Sequence, residues 1–199
     1  FDLKLRQQPK QSRMCGVGEK ADRRPIDPPP ILQLRVINHS QHAEDHANVT
    51  PPSPSHADLL WLFLPSFLPT ISSYLQNPYY FVYASLVSPD SGEELHLLRD
   101  GRTRATTGSV VSSLYHLKDI DNTDGGFFVF PDLSVRTEGS YRLKFSLFEI
   151  VQGKVYHCRS VYSDPFIVYS AKRFPGMEES TFLSRSFADQ GLKIRIRKE

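Results

Sequence analysis

The 199-residue chain predicts a mainly β domain, an antiparallel β-sandwich carrying one or two short helices. Three observations predict it. Apolar and polar residues alternate in several segments of strand length, turn residues separate those segments, and long stretches with a 3.6-residue period are absent. With 39% hydrophobic, 12% aromatic and 23% charged residues, the composition is that of one globular domain able to bury a core.

The elements come in order. PIDPPP (25–30) places four prolines in six positions, which forces an extended path and excludes helix. In ILQLRVI, Leu32, Leu34 and Val36 alternate with Gln33 and Arg35, the pattern of a half-buried strand. YYFVYASLV (79–87), ELHLL (94–98) and GFFVF (126–130) read as further strands, separated by SPDSGE, by Asp100-Gly101 and by DIDNTDGG. In YRLKFSLFEIV, Tyr141, Leu143, Phe145 and Leu147 alternate with Arg142, Lys144 and Ser146, giving one apolar and one solvated face. VYHCRSVY (155–162) and FIVY (166–169) come next, and LKIRIRK closes the chain as a strand with Lys193, Arg195 and Arg197 on one face. The best helical candidate is SVVSSLYHLKD (109–119).

Residues 38–73 break this pattern. Their first half is polar and rich in Pro and His, without a period that buries a face, so it reads as a loosely held loop. The second half leads into LLWLFLPSFLPTISSYL, the most apolar run in the chain. Pro65, Pro69, Ser66, Ser72 and Ser73 interrupt it and no Lys or Arg flanks it, so a membrane span is not expected. Two cysteines, Cys15 and Cys158, are too few for a disulfide framework and favour a reduced, intracellular setting. FDLKLRQQPKQSRMCG lacks an apolar h-region, so no signal peptide is expected in it.

Enzyme signatures are missing: there is no G-x-S-x-G elbow, no P-loop and no G-x-G-x-x-G. The run from Asp119 to Gly125 resembles a calcium loop, but its glycine falls one place late and Phe130 stands where the closing Glu belongs. A turn before a strand explains it better. His39, His42, His46 and His56 have ligand-like spacing but no helix formers or Cys around them, so no metal and no cofactor are expected. Cys158, alternating with Tyr156 and Ser160, reads as a core thiol.

Charge is more informative. The formal net charge is +2, yet no Lys or Arg occurs between Val36 and Leu98, a stretch holding six acids. The remainder carries 24 Lys and Arg against 16 acids and is basic. Arg13, Lys20, Arg23 and Arg24 fall in a glycine-containing stretch before the prolines, where a loop can present cations to phosphates. The competing reading pairs Lys20 and Arg23 locally with Glu19 and Asp22. The basic face of LKIRIRK is a second patch, equally readable as a charged edge strand. Arg99, Arg102 and Arg104, and the pair Lys172 and Arg173, form smaller clusters. Several basic loops on a β-sandwich is the pattern of loop ends gripping a duplex.

An ordered set of strings resembles the velvet domain of fungal regulatory proteins: LRQQPKQSRMCG, DRRPIDPPPILQLRV, LQNPYYFVYASL, GSVVSSLYHLKD, GFFVFPDLSVRTEGSYRLKFSLFE and DPFIVYSAKRFPGMEESTFLSRSFADQGLKIRIRK. It covers the chain as a single velvet domain, 1–199, except for about residues 38–73, and is most similar to the spore-viability (VosA) branch. The resemblance implies an immunoglobulin-like β-sandwich resembling the Rel-homology (NF-κB) DNA-binding domain. It further implies a nuclear, non-enzymatic transcriptional regulator, able to shuttle with the cytoplasm, of sporulation, spore maturation and viability, trehalose accumulation and secondary metabolism. Its implied partners are double-stranded DNA and other velvet proteins, as a VelB-type heterodimer or a homodimer, with no membrane. The family's DNA-contacting loop maps onto Lys20, Arg23 and Arg24, to which proximity adds Arg13; Arg102, Arg104, Lys172 and Arg173 are weaker candidates. By analogy with Rel domains, Cys15 beside Arg13 is expected near DNA and redox-sensitive. The alternative is a velvet-fold protein-interaction adaptor whose partner supplies DNA binding. Residues 38–73 depart from the family as an atypical insertion, either a lineage-specific loop or a translated intron.

Overall fold

The protein is described by a computed structural model over residues 1–17, 23–36 and 73–197. Within them lie strands β1 (Asp2–Gln7), β2 (Gln11–Arg13), β3 (Ile31–Arg35), β4 (Tyr80–Val87), β5 (Thr106–Gly108) and β6 (Val111–Ser113). Further on are β7 (Tyr115–Lys118), β8 (Asp124–Val129), β9 (Leu133–Val135), β10 (Gly139–Val151), β11 (Lys154–Tyr162) and β12 (Phe166–Tyr169), then helix α1 (Phe182–Asp189). A 3-10 turn spans Ser73–Gln76.

The chain folds as a β-sandwich. One sheet has the order β1-β3-β8-β7, a larger one runs β2-β12-β10-β4-β6 with β11 also paired to β10, and β5 and β9 form a separate two-stranded antiparallel ribbon. The long β10 is the hub of the larger sheet, pairing β4 along one edge and β11 then β12 along the other. Its alternation sets the core: Leu143, Phe145 and Leu147 are fully buried and meet Leu32, Leu34, Phe128 and Phe130 from the facing sheet. Each such side chain contributes about 1.5–3 kcal/mol on burial.

The two central strands of the smaller sheet, β3 and β8, are buried on both faces. Ile31, Phe127 and Val129 point away from the sandwich interior and form a second cluster with Phe187 of α1, against which Leu183, Leu192 and Ile194 pack. That explains why GFFVF shows no alternation: both faces of β8 need apolar residues. The Phe127 and Phe187 rings meet edge-on at 4.7 Å between centroids.

Three local expectations are corrected. Residues 109–119 are two strands, β6 and β7, rather than a helix. Val110, Val111 and the serines disfavour helix locally, and each strand gains a ladder partner, β4 and β8. The helix lies at 182–189, capped by Thr181, whose hydroxyl accepts from the Ser184 amide at 3.1 Å. ELHLL forms only isolated bridges at Glu94 and Leu97. LKIRIRK keeps its alternation of exposure through Ile196 but makes no ladder; its odd-numbered basic positions and apolar positions are sorted by packing on α1 and β8 instead.

The Asp119–Gly125 segment is the hairpin turn between β7 and β8 (119–123) and the first two residues of β8, with Asp119 occupied by Arg6 at 2.5 Å and Asp124 by Lys118 at 2.6 Å. Among the described residues no cluster of His, Cys, Asp and Glu suits a metal, and no helix is long and apolar enough to cross a membrane. The four insertion histidines, the apolar run up to Ser72, and Lys20 lie outside the described residues. The chain re-enters beside the point where it left: the Tyr74 hydroxyl donates to the Leu34 carbonyl at 3.1 Å.

Candidate nucleic-acid interface

The basic loop is anchored at both ends by main-chain hydrogen bonds. On its leading side, the Cys15 amide donates to the Val135 carbonyl at 3.0 Å and the Met14 amide to the Tyr169 carbonyl at 2.8 Å. The Arg136 guanidinium donates to the Gly16 carbonyl at 2.9 Å. On its trailing side, the Ile26 amide donates to the Leu133 carbonyl at 2.7 Å, and the Ser134 hydroxyl to the Arg24 carbonyl at 3.1 Å. Strand β9 therefore holds both stems of the loop, and the proline run stiffens the chain leading into β3.

Arg23 reaches Asp132 at 3.0 Å, both side chains being a little under half exposed. A pair so open to water contributes at most about 1 kcal/mol, so its carboxylate can be exchanged for another anion. Arg24 stands beside it. Together with Pro25, Met177, Arg195 and Arg197 these two arginines line a groove of about 330 Å³. The fold thus brings the C-terminal basic stripe against the loop, although about 170 residues separate Arg23 from Arg195 in sequence.

Arg197 is of another kind. Its guanidinium donates to Asp27 at 2.5 Å and to the Glu178 carbonyl at 3.0 Å, and Asp27 is 1% exposed. The other Asp27 oxygen accepts from the Glu178 amide at 2.6 Å. This is a structural tie between the proline run and the C-terminal segment, since breaking a buried pair leaves an uncompensated charge.

The remaining candidates separate. Arg13 ends β2, whose parallel register with β12 sets it opposite Tyr169, so the exposed turn bearing Lys172 and Arg173 leaves the sheet beside it. Arg102 and Arg104 are exposed on the hairpin built around Asp100, whose carboxylate accepts from the Arg102 and Thr103 amides at 2.9 Å, and they do not line the arginine groove. Cys15 is 1% exposed, and burial pushes its thiol up against the opposing charge of Arg136. A surface redox contact with DNA is therefore unsupported at Cys15. Cys158 is half-buried and packs on the edge of the main core. Sequence reasoning missed Asp132 and Arg136; neither has a local signal, because both act on the loop through space.

The fold is thus a β-sandwich that brings loop-borne Arg23 and Arg24 together with Arg195 and Arg197 around one groove. The Velvet factor family model matches residues 1–105 and 98–199. The chain belongs to the velvet factor family. It is 57% identical, over its whole length, to the Spore development regulator umv1 of Mycosarcoma maydis, of which it covers 27%. It is 38% identical to the Spore development regulator VOSA of Pyricularia oryzae and 41% identical to a velvet complex component of Chaetomium globosum, covering 33% and 38% of them. The chain thus spans well under half the length of these relatives.

Proposed function

We propose that this chain is the DNA-binding domain of a nuclear, non-enzymatic regulator of sporulation and spore maturation, working as a velvet homodimer or heterodimer. The observation that carries the reading is the loop at Arg23 and Arg24, held on β9 and the proline run with its guanidinium groups at the rim of a basic groove. The names of the relatives, spore development regulators and a component of a velvet complex, support the biological setting and the velvet partner.

Mechanistically, Lys20, Arg23 and Arg24 neutralise backbone phosphates and release counterions, while Arg13 with Lys172 and Arg173 extends the contact along the same end. With about six phosphate contacts per complex, affinity falls roughly 10³-fold between about 50 and 200 mM salt. Dimerisation doubles the footprint and sets half-site spacing.

The test is a Lys20→Ala, Arg23→Ala, Arg24→Ala variant, assayed by gel shift on random duplexes with and without a VelB-type partner. Loss of DNA retention with the dimer intact supports the reading. Unchanged retention would instead favour an adaptor whose partner holds the DNA.

A further inference from the structure

The C-terminal stripe is unexplained by the loop alone. Lys193 and Arg195 are exposed, while the intervening Leu192 and Ile194 pack against the Ile31, Phe127 and Phe187 cluster. Two residues after Arg195, the segment is tied again. Arg197 binds Asp27 and the Glu178 carbonyl, its amide donates to the Ser180 hydroxyl at 2.9 Å, and its carbonyl accepts from the Ser180 amide at 3.2 Å. Arg195 therefore sits on a short stretch fixed on both sides, facing the groove that Arg23, Arg24 and Arg197 also line. Four guanidinium groups share this groove; Asp132 pairs with Arg23 and Asp27 with Arg197.

Cations gathered around one groove sum to a positive field that is strongest inside it, and that field draws in an anion. A guanidinium offers paired N–H donors that match a phosphate bidentately, and a side chain on an immobilised backbone loses less freedom on binding than one on a loose tail.

We propose that the C-terminal segment is a second arm of the DNA grip, with Arg195 contacting a backbone phosphate in the groove it shares with Arg23 and Arg24, and with the Asp27–Arg197 tie positioning that arm. The proposal rests on the DNA-binding reading above. It assigns Arg195 a phosphate contact and no role in base recognition, so its loss weakens binding alike across sequences.

The test measures affinity of the 199-residue chain for a labelled random-sequence duplex pool across salt concentrations, for the wild type, Arg195→Ala, Arg195→Lys and the Arg23→Ala, Arg24→Ala variant. Arg195→Ala should lower the steepness of log affinity against log salt by about 0.9 and weaken binding about eightfold near 0.1 M salt, the share of one phosphate contact. Arg195→Lys should restore most of the steepness, because the charge is retained. Unchanged thermal melting identifies these as binding effects, as expected for an exposed side chain. If Arg23→Ala, Arg24→Ala weakens binding while Arg195→Ala leaves affinity and steepness unaltered, the second arm is wrong and the loop reading stands. If the wild type does not retain the duplex, both are wrong. Preference of the wild type for an acidic polypeptide such as polyglutamate over the duplex also overturns the assignment.

Discussion

Arg23 and Arg197 carry the same guanidinium group and have different consequences because their carboxylate partners differ in burial. Asp132 is nearly half exposed, whereas Asp27 is 1% exposed and also accepts from the Glu178 amide. Arg23→Ala should cost under about 1 kcal/mol of stability. Asp27→Ala should cost about 2–3 kcal/mol, since it removes a buried carboxylate that accepts from both Arg197 and the Glu178 amide; urea denaturation of the two variants measures the contrast. Comparable midpoints would show that the Asp27 tie is not formed in solution. At Cys15, burial holds the thiol above its ordinary value of 9.0. A folded value raised above the unfolded one stabilises the fold below about pH 9 and loses that contribution as pH rises through the folded value. Iodoacetamide should therefore modify Cys15 in native protein only at the rate of unfolding, while Cys158, half-buried at the core edge, reacts earlier; rapid native labelling of Cys15 would contradict its packing. These individual residues were partly legible in sequence. The arginines before the prolines announced themselves by clustering, but Asp132 and Asp27 gave no sign of which cation each would take.

Elements were legible where periodicity was strong. β12 alternates throughout and β10 turns Leu143, Phe145 and Leu147 inward as its sequence predicts, whereas β4 alternates only over 80–83 before running buried from Ala84 to Val87. The helix was harder to read. Residues 109–119 contain apolar residues at helical spacing, yet the ladders to β4 and β8 prevail; the actual helix is only Phe182–Asp189, marked by Thr181 as cap and Gly191 beyond its end. The C-terminal stripe shows the same limit, since its alternation persists without a strand. At this scale the loop's support is also testable. Gly108, ending β5, has φ of +88°, and a Cβ there would stand 1.6 Å from the Asp132 carbonyl oxygen. Gly108→Ala should destabilise the domain by at least about 2 kcal/mol in thermal melts and displace Asp132 from Arg23. An unchanged melting temperature would show that the β5–β9 ribbon is not built this way.

Across the whole molecule, the near-neutral total charge is a sum of unlike parts. The stretch between Val36 and Leu98 is purely acidic, with Glu44, Asp45 and Asp58 inside residues 38–73, and the rest of the domain is basic. Because Tyr74 returns to the Leu34 carbonyl, the two ends of that segment lie close enough for a short connection. Deleting residues 38–72 should leave a folded, DNA-retaining domain and raise stability by roughly 2 kcal/mol, as loop-closure entropy falls with length. Collapse of the deletion variant in denaturation experiments would mean that the segment contributes to the core. By itself the sequence determined the mainly β class, the strands with one buried face, the basic character and, through an ordered set of motifs, the family. Those properties are local or additive, so they survive in a linear string. Only the tertiary structure decided that β3 and β8 are covered on both faces, that Arg197 is tied to a buried carboxylate and Arg23 to an exchangeable one, and that Arg195 shares a groove with the loop. Each depends on burial or on proximity between residues far apart in the chain, and burial is what separates an exchangeable surface ion pair from a structural one.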